Sequence, residues 1–245
     1  MMKSVKRVVG AMLASTLVLT VVPSAASSQV LLVLLLGDKL SNETLQVGIK
    51  LDRAFTNLTE LDGADVRSGW AFGAWGEIRL AERWSLQPEL TLTTPGGSKT
   101  FVGDPTGIPA LDGVFSEVSV TRRLSYSNLV VPVKVVAGRF AVGIGPQLSY
   151  LRKADDFYEG LVTGEDEFTL ESDVVETLNR WDVGLAAKVE FYLKPERGMQ
   201  SARIHVAPFL GLTDIVKDNT GNAVKNWGVS LGIGIPVGTS SDEGS

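Results

Sequence analysis

The residue types that could do chemistry are few in this 245-residue chain, and the most reactive set is its only histidine, His205, with the carboxylates Asp182 and Glu190. A base oriented by an acid beside a nucleophile would make a catalytic triad. His205 stands near the start of an alternating stretch, so a hydrogen-bonded interior histidine is the ordinary explanation and no enzyme is expected. With no cysteine and one histidine, thiolate and imidazole metal sites are excluded, and no cofactor is expected. Acids gather at Asp155, Asp156, Glu159, Glu165, Asp166, Glu167, Glu171, Asp173 and Glu176 with no base among them. Lipopolysaccharide or divalent cations are the partners this 155–176 stretch suggests. No spacing in it matches a calcium loop, and a solvated acidic loop is the expectation. The glycines at 143–145 and 228–234 fall inside alternating stretches, where they serve curvature better than phosphate binding. Asn42-Glu43-Thr44 and Asn57-Leu58-Thr59 match a glycosylation pattern that carries little weight.

The elements that must position these residues follow from the two ends and the periodicity. Lys3, Lys6 and Arg7 precede an apolar run from Val8 to Val22, and Ser24-Ala25-Ala26 supplies small residues for cleavage, so 1–26 reads as a signal peptide. A segment 27–44 on the periplasmic side follows, with the apolar run Val30 to Leu36 expected to pack on the base of the folded unit. Without the three leader bases, 20 bases face 28 acids, a net charge near −8. That balance argues against nucleic acid, which calls for a basic face.

Eight stretches alternate with period two: Leu45 to Phe55, Trp70 to Leu80, Trp84 to Thr94, Tyr126 to Ala137, Arg139 to Leu151, Arg180 to Leu193, Arg203 to Ile215 and Trp227 to Val237. Short links (Ala81 to Arg83, Gly138, Lys194 to Ala202) alternate with long ones (Thr56 to Gly69, Pro95 to Ser125, Arg152 to Asn179, Val216 to Asn226). Eight strands joined by short periplasmic turns and long outer loops describe an all-β, antiparallel, up-and-down transmembrane β-barrel over 45–237. The tail 238–245 is polar, and both termini are expected in the periplasm.

Each strand has an apolar and a polar face. Trp70, Trp181 and Trp227 open their strands on the apolar face as an outer aromatic girdle, with Trp84, Phe140 and Phe191 at the opposite rim. The polar face would set Lys50, Asp52, Glu77, Arg79, Glu89, Lys134, Asp182, Lys188, Glu190, Arg203 and His205 in the lumen. Eight strands enclose only enough room for side chains. Paired charges that plug the lumen are therefore expected, because an unpaired buried ion costs several kcal/mol.

The order of Gln46-Val47-Gly48-Ile49-Lys50, Trp84-Ser85-Leu86-Gln87-Pro88-Glu89-Leu90, Asn128-Leu129-Val130-Val131-Pro132-Val133-Lys134, Gly143-Ile144-Gly145-Pro146-Gln147-Leu148 and Asp182-Val183-Gly184-Leu185 resembles the PorT-like outer-membrane β-barrel family over Leu45 to Val237. The resemblance implies an eight-stranded outer-membrane barrel and little about activity. The chain departs from the usual pattern at its last strand, which runs Ile235-Pro236-Val237 where such barrels commonly finish on an aromatic residue.

A non-enzymatic, monomeric outer-membrane protein with a structural or recognition role through its outer loops is the reading that follows. Its partners are outer-membrane lipid and the barrel-assembly machinery. A narrow passive channel or a transport or secretion accessory barrel is the first alternative. A soluble periplasmic lipocalin-like barrel, apolar inside and polar outside, is the second.

Overall fold

In the computed structural model the described residues are 41–42, 44–61, 63–102, 115–162 and 166–238. The leader 1–26, the run Val30 to Leu36 and the tail beyond residue 238 lie outside them. Eleven strand segments form one antiparallel sheet: β1 (Leu45–Leu58), β2 (Asp65–Arg79), β3 (Trp84–Leu86), β4 (Glu89–Val102), β5 (Phe115–Val130), β6 (Val133–Ala137), β7 (Phe140–Val162), β8 (Asp166–Asp173), β9 (Trp181–Tyr192), β10 (Arg203–Gly211) and β11 (Asn226–Val237). The segments pair in the order β1-β11-β10-β9-β7-β5-β4-β2, with β3 and β6 paired beside β2 and β7 and with β8 paired on β7, and β1 pairs with both β2 and β11, closing the sheet on itself.

Three pairs of segments are collinear, which reduces the sheet to eight staves. β3 runs into β4 through Gln87-Pro88, and β5 into β6 through Val131-Pro132. A proline has no N–H to give to the ladder. The two breaks lie side by side and mend each other, the Gln87 N–H donating to the Pro132 carbonyl at 2.9 Å. β8 and β9 both pair with β7 and together make one stave, interrupted between Val174 and Arg180. The architecture is an eight-stranded antiparallel barrel.

The alternation decides which face is inside. Trp70 is 64% exposed and Ile144 61%, whereas Lys134 and Glu77 are at 0% and Glu190 at 1%. Polar side chains line the interior, and an apolar belt of Val142, Val183, Leu185, Val189, Leu231 and Ile233 covers the outside. A soluble lipocalin-like barrel needs the opposite arrangement, so that alternative is overturned. Among the described residues no helix is long and apolar enough to cross a membrane.

The expected outer loops differ most from the structure. Much of Pro95 to Ser125 and Arg152 to Asn179 is strand, because β4, β5 and β7 continue past the barrel and β8 extends their sheet. β7 alone runs from Tyr150, opposite Trp181, to Val162, about 40 Å of strand at roughly 3.3 Å per residue. A bulge at Arg152-Lys153, where β5 and β7 slip register, interrupts the alternation there. The link Thr56 to Gly69 is likewise shortened by β1 and β2, and the seventh stave ends at Gly211 rather than Ile215. At the other end the turns are tight: Gly138, at φ +59°, takes the left-handed corner between β6 and β7.

The interruption of the sixth stave closes the mouth of the barrel at the end opposite the tight turns. After Val174 leaves the ladder with β7, a 3-10 turn over Val175–Thr177 leads Leu178 inward before Arg180 rejoins the sheet. Leu178 packs with Leu58, Leu124, Tyr126, Leu151, Ala154 and Ile215, all at most 3% exposed. This apolar cap is the largest hydrophobic core among the described residues, and it is built inside the mouth rather than between sheets.

Candidate functional site

Below the cap the interior is polar, and its chemistry comes from inward positions of six staves. On β1, Lys50 and Asp52 alternate with outward residues, and the Lys50 ammonium lies 3.1 Å from Asp52 and 2.8 Å from Glu89 of β4. Glu89 also holds Lys188 of β9, closely enough for a charge-assisted hydrogen bond, and accepts from the Gln87 amide at 2.7 Å. The Gln87 amide reaches Glu190 at 3.1 Å, and its carbonyl accepts from Lys134 of β6. Lys134 contacts Glu190 at 2.6 Å, Glu77 of β2 at 3.0 Å and the Tyr192 hydroxyl at 3.1 Å.

Arg203 of β10 ends the chain of contacts. It donates to Glu77 at 2.5 Å and to the Met199 carbonyl at 2.7 Å. Its guanidinium lies 4.1 Å from the Trp75 ring centroid and 4.8 Å from that of Tyr192, so the cation meets π-electron density from two rings. At the other end, His205 Nε2 lies 2.8 Å from Asp52. Glycine is required beside this pair: a Cβ at Gly232 would fall on the Asp52 carboxylate and within 2.7 Å of His205 Nε2.

Asp52, Glu77, Glu89 and Glu190 thus balance Lys50, Lys134, Lys188 and Arg203 in one contiguous network, and each of these eight side chains is at most 8% exposed. Two of the expected luminal residues stand outside it. Arg79 is exposed and lines a cavity of about 120 Å³ at the end with the tight turns, with Arg83, Trp84 and Met199. Asp182 faces inward but sits higher, under the cap, where it accepts a 2.7 Å hydrogen bond from the Thr213 hydroxyl. His205 therefore pairs with Asp52, not with Asp182 or Glu190. A second cavity, about 40 Å³, lies beside Lys50, Glu89 and Lys188, room for a few water molecules.

Gln87, Trp75 and Tyr192 are participants that a search for charge passes over. Their signal was parity: each alternates in step with a luminal acid, Gln87 with Glu89, Trp75 with Glu77 and Tyr192 with Glu190. Of the aromatic positions, Trp70, Trp84, Phe140, Trp181 and Trp227 are exposed on the outer wall. Phe140 packs edge-on against Phe191 with centroids 5.3 Å apart, and Tyr150 meets Trp181 at 4.9 Å. Tyr126 turns inward as part of the cap.

The acidic 155–176 stretch is mostly strand, and bases from elsewhere pair with several of its acids. Arg122 binds Asp156 through two hydrogen bonds of 2.8 and 2.6 Å, Lys153 holds Asp155 at 2.7 Å and Arg180 holds Glu176 at 2.9 Å. The hydrogen bond and charge of Asp155 raise the pKa of the Lys153 ammonium. Among the described residues no three acidic or imidazole side chains gather as metal ligands.

No family model matches the chain, and no curated protein matches its sequence. Among solved structures the chain is similar to Ail, the attachment invasion locus protein of Yersinia pestis, solved in complex with the heparin analogue sucrose octasulfate. The identity is 10% over 79% of this chain and 99% of that one, with a TM-score of 0.39. Neisserial surface protein A is similar at 11% identity over 78% of this chain and 96% of that one, also with a TM-score of 0.39. The translocator domain of the autotransporter NalP from Neisseria meningitidis is similar at 10% identity, over 86% and 95% of the two chains, with a TM-score of 0.22. These likenesses concern architecture, and the barrel itself is read from its own closed ring of strands.

Proposed function

We propose that this chain is a non-enzymatic outer-membrane barrel, closed to ions and solutes, that holds its projecting sheet at the cell surface for a structural or recognition role. The observation that carries this reading is the doubly sealed interior. A contiguous network of four acids and four bases fills the lower lumen, and the Leu178 cap fills the mouth. The apolar outer wall suits lipid, and the PorT-like wording of the strands agrees with it. A periplasmic location of both termini follows from tight turns at one end and long extensions at the other. The recognition role belongs to the outer sheet because the lumen offers a partner no access. His205, with 1% of its side chain exposed, lies where no substrate reaches it.

Planar-bilayer recording of the refolded protein tests the proposal. The expected result is membrane insertion without single-channel steps. Stable unitary conductance would sink the sealed-lumen reading and favour the passive channel.

A further inference from the structure

The projecting sheet ends on β8, which pairs with β7 on one side and, among the described residues, with no strand on the other. The 212–225 connection covers the continuation of that edge only past Asp173, where Val216 bridges Leu178 and the Lys217 N–H donates to the Thr177 carbonyl. Natural sheets blunt an open edge with a proline, a bulge or a very short strand. β8 has none of these: its eight residues, Asp166–Asp173, include no proline and pair with β7 in an unbroken register.

The ladder fixes which backbone groups the edge presents. In an antiparallel pair the N–H and C=O of alternate residues point to the partner strand, and those between point away. The Val174 N–H donates to the Ala154 carbonyl at 3.0 Å, continuing the register that sets Asp173 against Asp155. Residues of the same parity, Ser172, Leu170 and Phe168, therefore bond to β7, and Glu171, Thr169 and Glu167 turn their N–H and C=O groups to the open side. The two faces of the strand also differ. The exposed side chains of Glu167, Thr169 and Glu171 share one face, and Phe168 and the exposed Leu170 share the other. Lys153 reaches Glu171 only at 4.0 Å, and none of the ion pairs among the described residues holds Glu167.

We infer that the open edge of β8 is a docking site for an extended basic segment of another protein, which adds to the sheet as a further strand. Such an addition takes its affinity from main-chain hydrogen bonds and its specificity from alternate side chains. Opposite Glu171, Thr169 and Glu167 the edge calls for the pattern Lys-x-Thr-x-Lys, with apolar residues at x to meet Leu170 and Phe168. Opposite charges across a strand pair stabilise it, and like charges directly opposite destabilise it. A second copy of the chain is disfavoured on that ground, since pairing about Thr169 would set Glu167 of one copy opposite Glu171 of the other. The site rests on the reading of the projecting sheet as the recognition surface, and it gives that surface a partner of defined chemistry.

The test is fluorescence anisotropy of a labelled peptide with the core Lys-Val-Thr-Val-Lys, titrated with the refolded full chain in non-ionic detergent. Saturable binding is expected. It should weaken roughly fivefold when Glu167→Gln and Glu171→Gln are combined, disappear in Thr169→Pro and persist in Thr169→Val. Thr169→Pro removes an N–H that faces the open side and spares the bonds to β7. If that variant does not fold, N-methylation of the peptide at its Lys and Thr residues blocks the same bonds from the other side and should abolish binding. No saturable binding by the wild type overturns the site, as does equal binding of a peptide with Glu in place of Lys or undiminished binding of the N-methylated peptide. Self-association of the chain that Thr169→Pro abolishes overturns the basic partner in favour of a second copy. Bilayer conductance bears on the sealed lumen alone, so failure of the edge and failure of the sealed-barrel reading give different results.

Discussion

Lys134 is the side chain on which the lower lumen depends. It is fully buried between Glu77 and Glu190 and is also bonded to Gln87 and Tyr192. Removing one partner of a buried pair leaves the other charge stranded, at a cost of roughly 3–5 kcal/mol. Lys134→Met, which keeps the volume and loses the charge, is expected to lower stability by about that amount in urea titrations followed by tryptophan fluorescence. An unchanged midpoint would mean that the network is hydrated and loose. Parity and charge coincide at Glu89 and Lys188, which meet in the network. Arg79 and Asp182 share that parity but stand at other heights, one at the rim and one under the cap.

At the scale of elements, the sixth stave is the unusual one. It is split so that Val174 to Arg180 can leave the sheet and set Leu178 into the mouth. Leu178→Ala should cost roughly 2–5 kcal/mol, the range for a buried leucine, and its effect should be local. Hydrogen exchange is expected to accelerate in the 174–180 and 212–225 segments while the amides of β9 to β11 below stay protected. Uniform loss of protection throughout the barrel would show that the cap and the staves unfold as one unit. The sequence hides this excursion because the 152–179 stretch mixes a bulge, acids and a broken strand. Its alternation restarts too often for a period of two to be seen. The proline breaks at Pro88 and Pro132 were also invisible, since each strand's apolar pattern continues across them.

For the whole molecule the question is which surface meets lipid. Trp70 stands 64% exposed on the outer wall with the Arg53 guanidinium 5.3 Å from its ring, while Trp75, five residues on, is 3% exposed inside the barrel. In vesicles of bromine-labelled lipid, a variant keeping only Trp70 should be strongly quenched and one keeping only Trp75 scarcely at all. Equal quenching of the two would contradict the inside-out arrangement. A soluble barrel would quench in neither variant.

The sequence by itself determined the number of staves, their antiparallel order and which side chains share a face, because a strand's side chains alternate strictly and a small barrel can bury only one face. It did not determine which luminal charges meet, how far the sheet runs past the barrel or what closes the mouth. Those depend on the register between neighbouring staves, and a slip of one residue exchanges faces while a slip of two exchanges partners. Only the closed ring fixes that register. It seats Asp52 against His205 and Glu77 against Arg203, and it leaves Asp182 apart under the cap.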